Sequence, residues 1–169
     1  MVKNYKIEIK WAFIFMGAAL IWMLLEKWSG LHSVHIDKHQ YLTMLYMIPA
    51  IWIYVLALQD KKKSFYNGQM SFKQGFVSGL VISIIVSLFS PLSQWIITYV
   101  ITPEYFQNVI AYSEKSGYHK TLAEAEAFFN YKNYAIQSTL WAIVMGVLTS
   151  AIVAFFVKTK SNKYGNIKL

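Results

Sequence analysis

Apolar positions along the chain gather into four long runs separated by short polar segments, at residues 11–25, 41–58, 76–101 and 135–157. The first continues as a helical pattern toward Tyr5 on one side and Trp28 on the other. Each run approaches or exceeds the roughly 20 residues needed to cross a hydrocarbon core of about 30 Å. Backbone groups in lipid must find partners within their own segment, so the runs predict helices. The pattern predicts an all-α chain, an integral membrane four-helix bundle with spans at about 8–28, 40–58, 72–101 and 133–157. These make a single transmembrane domain over 1–160, with an extracytoplasmic helical loop at 102–132 and a flexible basic tail at 161–169. The first run has the basic start of a secretory signal, but it ends in "LLEKWSG" without a small-x-small cleavage pattern. It therefore reads as a retained helix.

Polar positions punctuate the spans. Asn67 and Gly68 form a turn pair, and Ser71 with Gln74 has the spacing of a capping box that starts the third span at Phe72. Thr102 as cap, Pro103 in the first turn and Gly117 past the end predict a short amphipathic helix over 103–116. Thr121 and Glu124 predict another helix start, and Asp37 with Gln40 places the cap of the second span at Asp37. Pro49 and Pro91 are expected to kink spans two and three, because each removes an intrahelical bond.

Composition fixes the solvent. Of 169 residues, 56% are hydrophobic and only 14% charged, too apolar for a soluble chain of this length. The absence of cysteine excludes disulfides, thiolate metal sites and a cysteine nucleophile. The net charge of +8 comes from lysine alone. Eleven of the 16 lysines fall at the N-terminus, between spans two and three, or in the tail. That bias puts both termini in the cytoplasm and the loops at 29–40 and 102–133 outside. It also accounts for the basicity without nucleic acid. The partner expected first is the lipid bilayer.

Small residues recur at every fourth position in two spans. Gly75, Gly79, Ser83 and Ser87 mark the third, and Ala142, Gly146, Ser150 and Ala154 the fourth. Such grooves let helices approach closely in lipid, either within the chain or between copies or partner proteins. Around Pro91, Ser90, Ser93, Gln94 and Thr98 either satisfy carbonyls freed by the kink or line a polar pocket. None of the four apolar runs contains Asp, Glu, Lys or His, which weighs against a pump or ion-coupled carrier.

The stretch "HSVHIDKH" supplies His32, His35 and His39, which with Asp37 or Glu26 have the chemistry of a zinc shell but no recognised spacing. A solvated loop is the simpler reading, so no metal or other cofactor is expected. Lys27 is expected to reach the headgroups, and Glu26 either to do the same or to turn inward toward His35 or Lys38. No sequence motif for hydrolysis or phosphate binding is present, and a membrane enzyme would need Glu26, Glu104, Glu124 and Glu126 to meet over a cleft.

The segments "WMLLEKWSGLHSVHIDKH", "KKKSFYNGQMSFKQGF", "ITPEYF", "AEAEAFF" and "VMGVLTSAIVA" resemble the DUF4199 family, small four-span membrane proteins found mainly in Bacteroidetes. The likeness runs from about Lys6 to Lys160. It implies the four-span fold and a bacterial inner membrane, and it supplies no activity and no catalytic residue. The expectation drawn from the residues is a non-enzymatic accessory or scaffold subunit associating through its small-residue grooves. The alternatives are an oligomeric small-molecule or ion-binding transporter or channel, and a membrane enzyme acting on lipid or envelope precursors.

Overall fold

A computed structural model describes residues 5–159, and all regular structure among them is helical. The basic tail expected at 161–169 lies outside the described residues. In chain order the elements are α1 (Lys6–Trp28), α2 (Ile36–Leu42), a 3₁₀ turn (Thr43–Tyr46), α3 (Met47–Ser64), α4 (Phe72–Ile96), a π turn (Ile97–Ile101), α5 (Tyr105–Lys115), α6 (Leu122–Phe128) and α7 (Tyr131–Val157). Four helical stretches are long and apolar enough to cross a membrane: Lys6–Trp28, Ile36–Ser64, Phe72–Ile101 and Tyr131–Val157. The chain is a multi-pass membrane protein. Ile84, Leu88, Leu140 and Ile152 are each more than half exposed, as lipid-facing side chains are.

The most extensive helix pair is α4 with α7, and small residues explain it. Gly75 faces Ala154, Gly79 faces Ser150, and Ser83 faces Gly146, so each step of four up α4 matches a step of four down α7. A Cβ on Gly79 would stand 2.7 Å from that of Ser150, and one on Gly146 would stand 2.5 Å from that of Ser83. No side chain larger than hydrogen fits at either glycine without moving the partner helix. Ser87 continues the register with a hydrogen bond to the carbonyl of Thr139 at 3.3 Å. Ser83 donates to Gly79 O at 2.9 Å and lies 2.8 Å from the Tyr54 hydroxyl, which ties α3 to this seam.

At the lysine-rich end, Ser71 and Gln74 make a full capping box, and Asn67 (φ 48°) and Gly68 (φ 83°) turn the chain into it. Thr159 closes that end, giving its N–H to Met70 O at 2.8 Å and accepting the Met70 N–H on its hydroxyl at 2.9 Å. Beneath this turn Glu8, 1% exposed, is held by Lys61 at 2.8 Å and by the Ser78 hydroxyl at 2.7 Å.

The opposite end is capped by α2, α5 and α6, which pack Val109, Ala125 and Phe129 over the ends of the long helices. Two capping expectations are corrected here. Residue 37 is not the cap of α2: His35 precedes the first turn, and the exposed Asp37 lies inside it. The reason is the turn before it, where Gly30 O accepts from Ser33 and His35, Ser33 O accepts from Ile36 and His35 O accepts from Lys38. Helical bonding has therefore begun before residue 37, which leaves Asp37 within the first turn and not at the cap. Helix α5 starts at Tyr105, and the Thr102 hydroxyl donates back to Ile97 O at 3.1 Å instead of capping it. Thr121 does cap α6, accepting from Glu124 N at 3.2 Å, while the Glu124 carboxylate takes the Lys120 N–H. Pro91 sits within α4, and Pro49 in the first turn of α3 directly after the 3₁₀ turn.

Candidate functional site

The inward stripe of α1 consists of Glu8, Ala12, Met16 and Glu26, so each end of an otherwise apolar face carries a buried carboxylate. Both lie inside the helix, within its first and last turns, where the uncharged run between them gave no hint of burial. Glu26 is 2% exposed and would carry a large desolvation penalty if unpartnered. Three nitrogen groups answer it. Trp22, one turn earlier, gives its indole N–H to Oε1 at 2.5 Å. His32 Nε2 stands 3.1 Å from Oε2, and His39 Nε2 stands 3.3 Å from the same oxygen.

Local structure brings the two histidines together. After α1 the chain reverses at Gly30, whose φ of +78° is a left-handed conformation. A Cβ there would also meet Val34 Cγ2 at 2.8 Å. The reversal turns His32 back under the end of α1, where it is 5% exposed and its carbonyl accepts from the Asn108 side chain of α5 at 2.9 Å. One turn of α2 then places His39 beside it, with ring centroids 5.2 Å apart. His35 and Asp37 are exposed and take no part. Glu26 therefore turns inward as one alternative required, but toward His32 and His39, not His35 or Lys38. Lys27 is exposed and donates to Ile101 O at 2.6 Å, pinning the π turn to α1.

Tyr105 completes the cluster from α5. Its ring lies 5.2 Å from those of both His32 and His39, and its hydroxyl is 3.4 Å from His39 Nδ1 and 3.5 Å from the Tyr134 hydroxyl. Burial pushes the Tyr105 phenol far above its ordinary value, and Tyr134 acts in the same direction, so the group stays a neutral hydroxyl. His32 Nδ1 is buried and, among the described residues, has no hydrogen-bond partner.

This cluster borders two cavities. One of about 180 Å³ has His32, His39, Gln94, Thr98, Thr102 and Tyr134 in its wall. A second of about 530 Å³ opens between α2, α5 and the start of α7, and shares His39, Thr43, Tyr105 and Tyr134 with the first. Of the four residues suggested for a pocket near Pro91, Gln94 and Thr98 reach the smaller cavity and hydrogen-bond to each other at 3.1 Å. Ser90 does not line it and donates to Val86 O at 3.0 Å, and Ser93 is also absent from its wall. The π turn buries Thr98 and Ile101 together at the end of α4. Glu104, Glu124 and Glu126 are exposed on the surface of the cap.

Glu26, His32 and His39 each offer one ligand atom, and these atoms lie within 4.8 Å of one another. A buried carboxylate and two imidazoles converging in this way can accept protons, hold a cationic group or ligate a metal. A family model described as "Protein of unknown function (DUF4199)" matches residues 10–159. The chain belongs to the DUF4199 family. In this DUF4199 protein the matched segment takes in the whole cap cluster and the α4–α7 seam, and it begins two residues after Glu8. No curated protein and no solved structure matches the chain.

The sequence gives some access to this site. Glu26, His32 and His39 are visible as candidates, and Trp22 stands at i−4 from Glu26, the spacing of a same-face pair. Tyr105 and Tyr134 carry no such signal, because they enter from elements far apart in the chain.

Proposed function

We propose that this DUF4199 protein is a non-enzymatic binding protein of the bacterial cytoplasmic membrane that takes a small molecule or ion into its cap, on the extracytoplasmic side. The observation that carries the reading is the buried Glu26 carboxylate, whose two histidine partners form part of the wall of a cavity of about 180 Å³. A carboxylate that is costly to bury, placed beside convergent polar groups in a concave site, is the usual mark of a binding centre.

The interior between the two buried carboxylates is mainly apolar, built on Ala12, Met16, Ile82 and Val86. That supports capture at one face over passage through the chain. A scaffold role through the small-residue stripes has less support, because those of α4 and α7 face each other within one chain. The lysine bias supports a cytoplasmic position for both termini.

Native mass spectrometry of the chain released from nanodiscs tests the reading. The expected result is a low-mass species or ion retained by the wild type and lost when Thr98→Phe fills the cavity, with unchanged helical content. A wild-type chain that carries lipid alone would overturn it.

A further inference from the structure

We propose that Glu26, His32 and His39 bind one divalent first-row transition ion of the zinc type, with its remaining position open to the cavity that contains Gln94 and Thr98. The proposal rests on the binding reading above and names its ligand. A cation bonded to nitrogen and oxygen at 2.0–2.1 Å in tetrahedral geometry holds its ligand atoms about 3.3 Å apart. Glu26 Oε2 stands 3.1 Å from His32 Nε2 and 3.3 Å from His39 Nε2, and all three ligand atoms fall within 4.8 Å. Two sides of the ligand triangle already have the required length, and the third, between the two imidazoles, is no longer than 4.8 Å.

The donor set selects the kind of ion. Two imidazoles and one carboxylate suit zinc and its first-row neighbours, whereas calcium and magnesium prefer oxygen. Without cysteine the chain has no thiolate for a softer ion. One carboxylate and two neutral imidazoles leave the bound site with a single positive charge. The ammonium of Lys27 is engaged with Ile101 O and does not compete for Glu26.

Ligation through Nε2 requires the proton of each ring on Nδ1. For His39 that position faces the Tyr105 hydroxyl at 3.4 Å, whose oxygen accepts the Nδ1–H and whose own proton faces Tyr134. This is the supporting partner that a metal-binding histidine ordinarily has. For His32 no hydrogen bond at Nδ1 has to be broken to make the change. The short Glu26 contacts are then the same ones that protons bridge in the absence of a cation.

The test is made on the full chain in nanodiscs, stripped with a chelator and titrated calorimetrically with Zn²⁺ and separately with Co²⁺. The expected result is one ion per chain, with visible Co²⁺ absorption of the four-coordinate type. Binding should weaken about tenfold or more in Glu26→Gln and in His39→Ala, and stay unchanged in His35→Ala, whose side chain is exposed. If Glu26→Gln fails to fold, the half-buried His39→Ala carries the test. Equal affinity in wild type and His39→Ala would overturn the assignment. A stripped wild type that binds neither ion but still retains a species in native mass spectrometry would overturn the metal and leave the binding reading standing; absence of both would remove both.

Discussion

Glu8 and Glu26 stand on the same face of α1, 18 residues apart, and both are buried. Five full turns separate them, a rise of about 27 Å, close to the thickness of a hydrocarbon core. One helix thus carries a buried carboxylate near each boundary of the membrane, and the two are held by different groups. Glu8 is met by an ammonium and a hydroxyl, whereas Glu26 is met by an indole and two imidazoles. A lysine ammonium and a serine hydroxyl bonded directly to the carboxylate suit a structural clamp. Imidazole can exchange its proton for another cation, which suits a site.

The clamp makes the first prediction. Glu8→Gln removes a carboxylate that lies 2.8 Å from the ammonium of Lys61, a residue only 3% exposed. A loss of about 3–5 kcal/mol is expected. Replacing both members with Leu and Met should recover most of it, because a buried pair stabilises little beyond an apolar equivalent of its size. Unfolding in mixed micelles reads both effects, and a double variant as unstable as the single one would argue against the clamp.

The α4–α7 seam gives the second. At Gly79 and Gly146 a side chain has to displace the facing helix, so Leu at either position should cost more than the 1–3 kcal/mol or so usual for overpacking. Gly17, with nothing within 4 Å of an added Cβ, is the control. Ala there should stabilise α1 by up to about 1 kcal/mol through helix propensity. Thermal melts of the three variants in detergent give the ranking, and a wild-type melt for Gly146→Leu would mean that the seam yields.

These two cases show what a linear reading can reach. The small-residue stripes repeat every four positions, and hydropathy marks the long helices, so both are local properties of the chain. The Ser71 capping box is local too, and it forms between side chains that are neighbours on one turn. Asp37 fails as a cap although its spacing to Gln40 is the same, because the Gly30 turn leads the chain into the helix at Ile36, one residue before it. His35 lies nearer than His39 to Glu26 along the chain, yet the reversal at Gly30 selects His32 and His39. Glu8 shows its role only when counted on the helical wheel with Ala12 and Met16. Tyr105 needs α5 folded over the cap before it has any neighbour in the cluster.

That dependence on the cap yields the third prediction. Tyr105→Phe keeps the ring against His32 and His39 and deletes only the hydroxyl opposite His39 Nδ1. Affinity for Zn²⁺ should fall by about 10- to 100-fold, the cost of losing the partner that orients a ligating histidine, while the melting temperature changes little. Tyr134→Phe, one hydroxyl further out, should have a smaller effect. Equal affinities for wild type and Tyr105→Phe would place the tyrosine outside the binding apparatus.

Orientation supplies the last prediction, and the chain is well suited to it because it has no native cysteine. Ser116→Cys places a thiol where α5 ends in the cap, and Lys63→Cys places one at the lysine-rich end of α3. In intact cells a membrane-impermeant maleimide should label the first and spare the second, and lysis should make both reactive. Lysine bias alone sets this expectation, since positive residues next to short loops resist transfer across the membrane. The reversed pattern would put the Glu26 cluster in the cytoplasm. It would leave the geometry of the site intact but change its source of ions, from the cell exterior to the cytosolic pool, where free transition metal is scarce and a low-affinity site would stay empty.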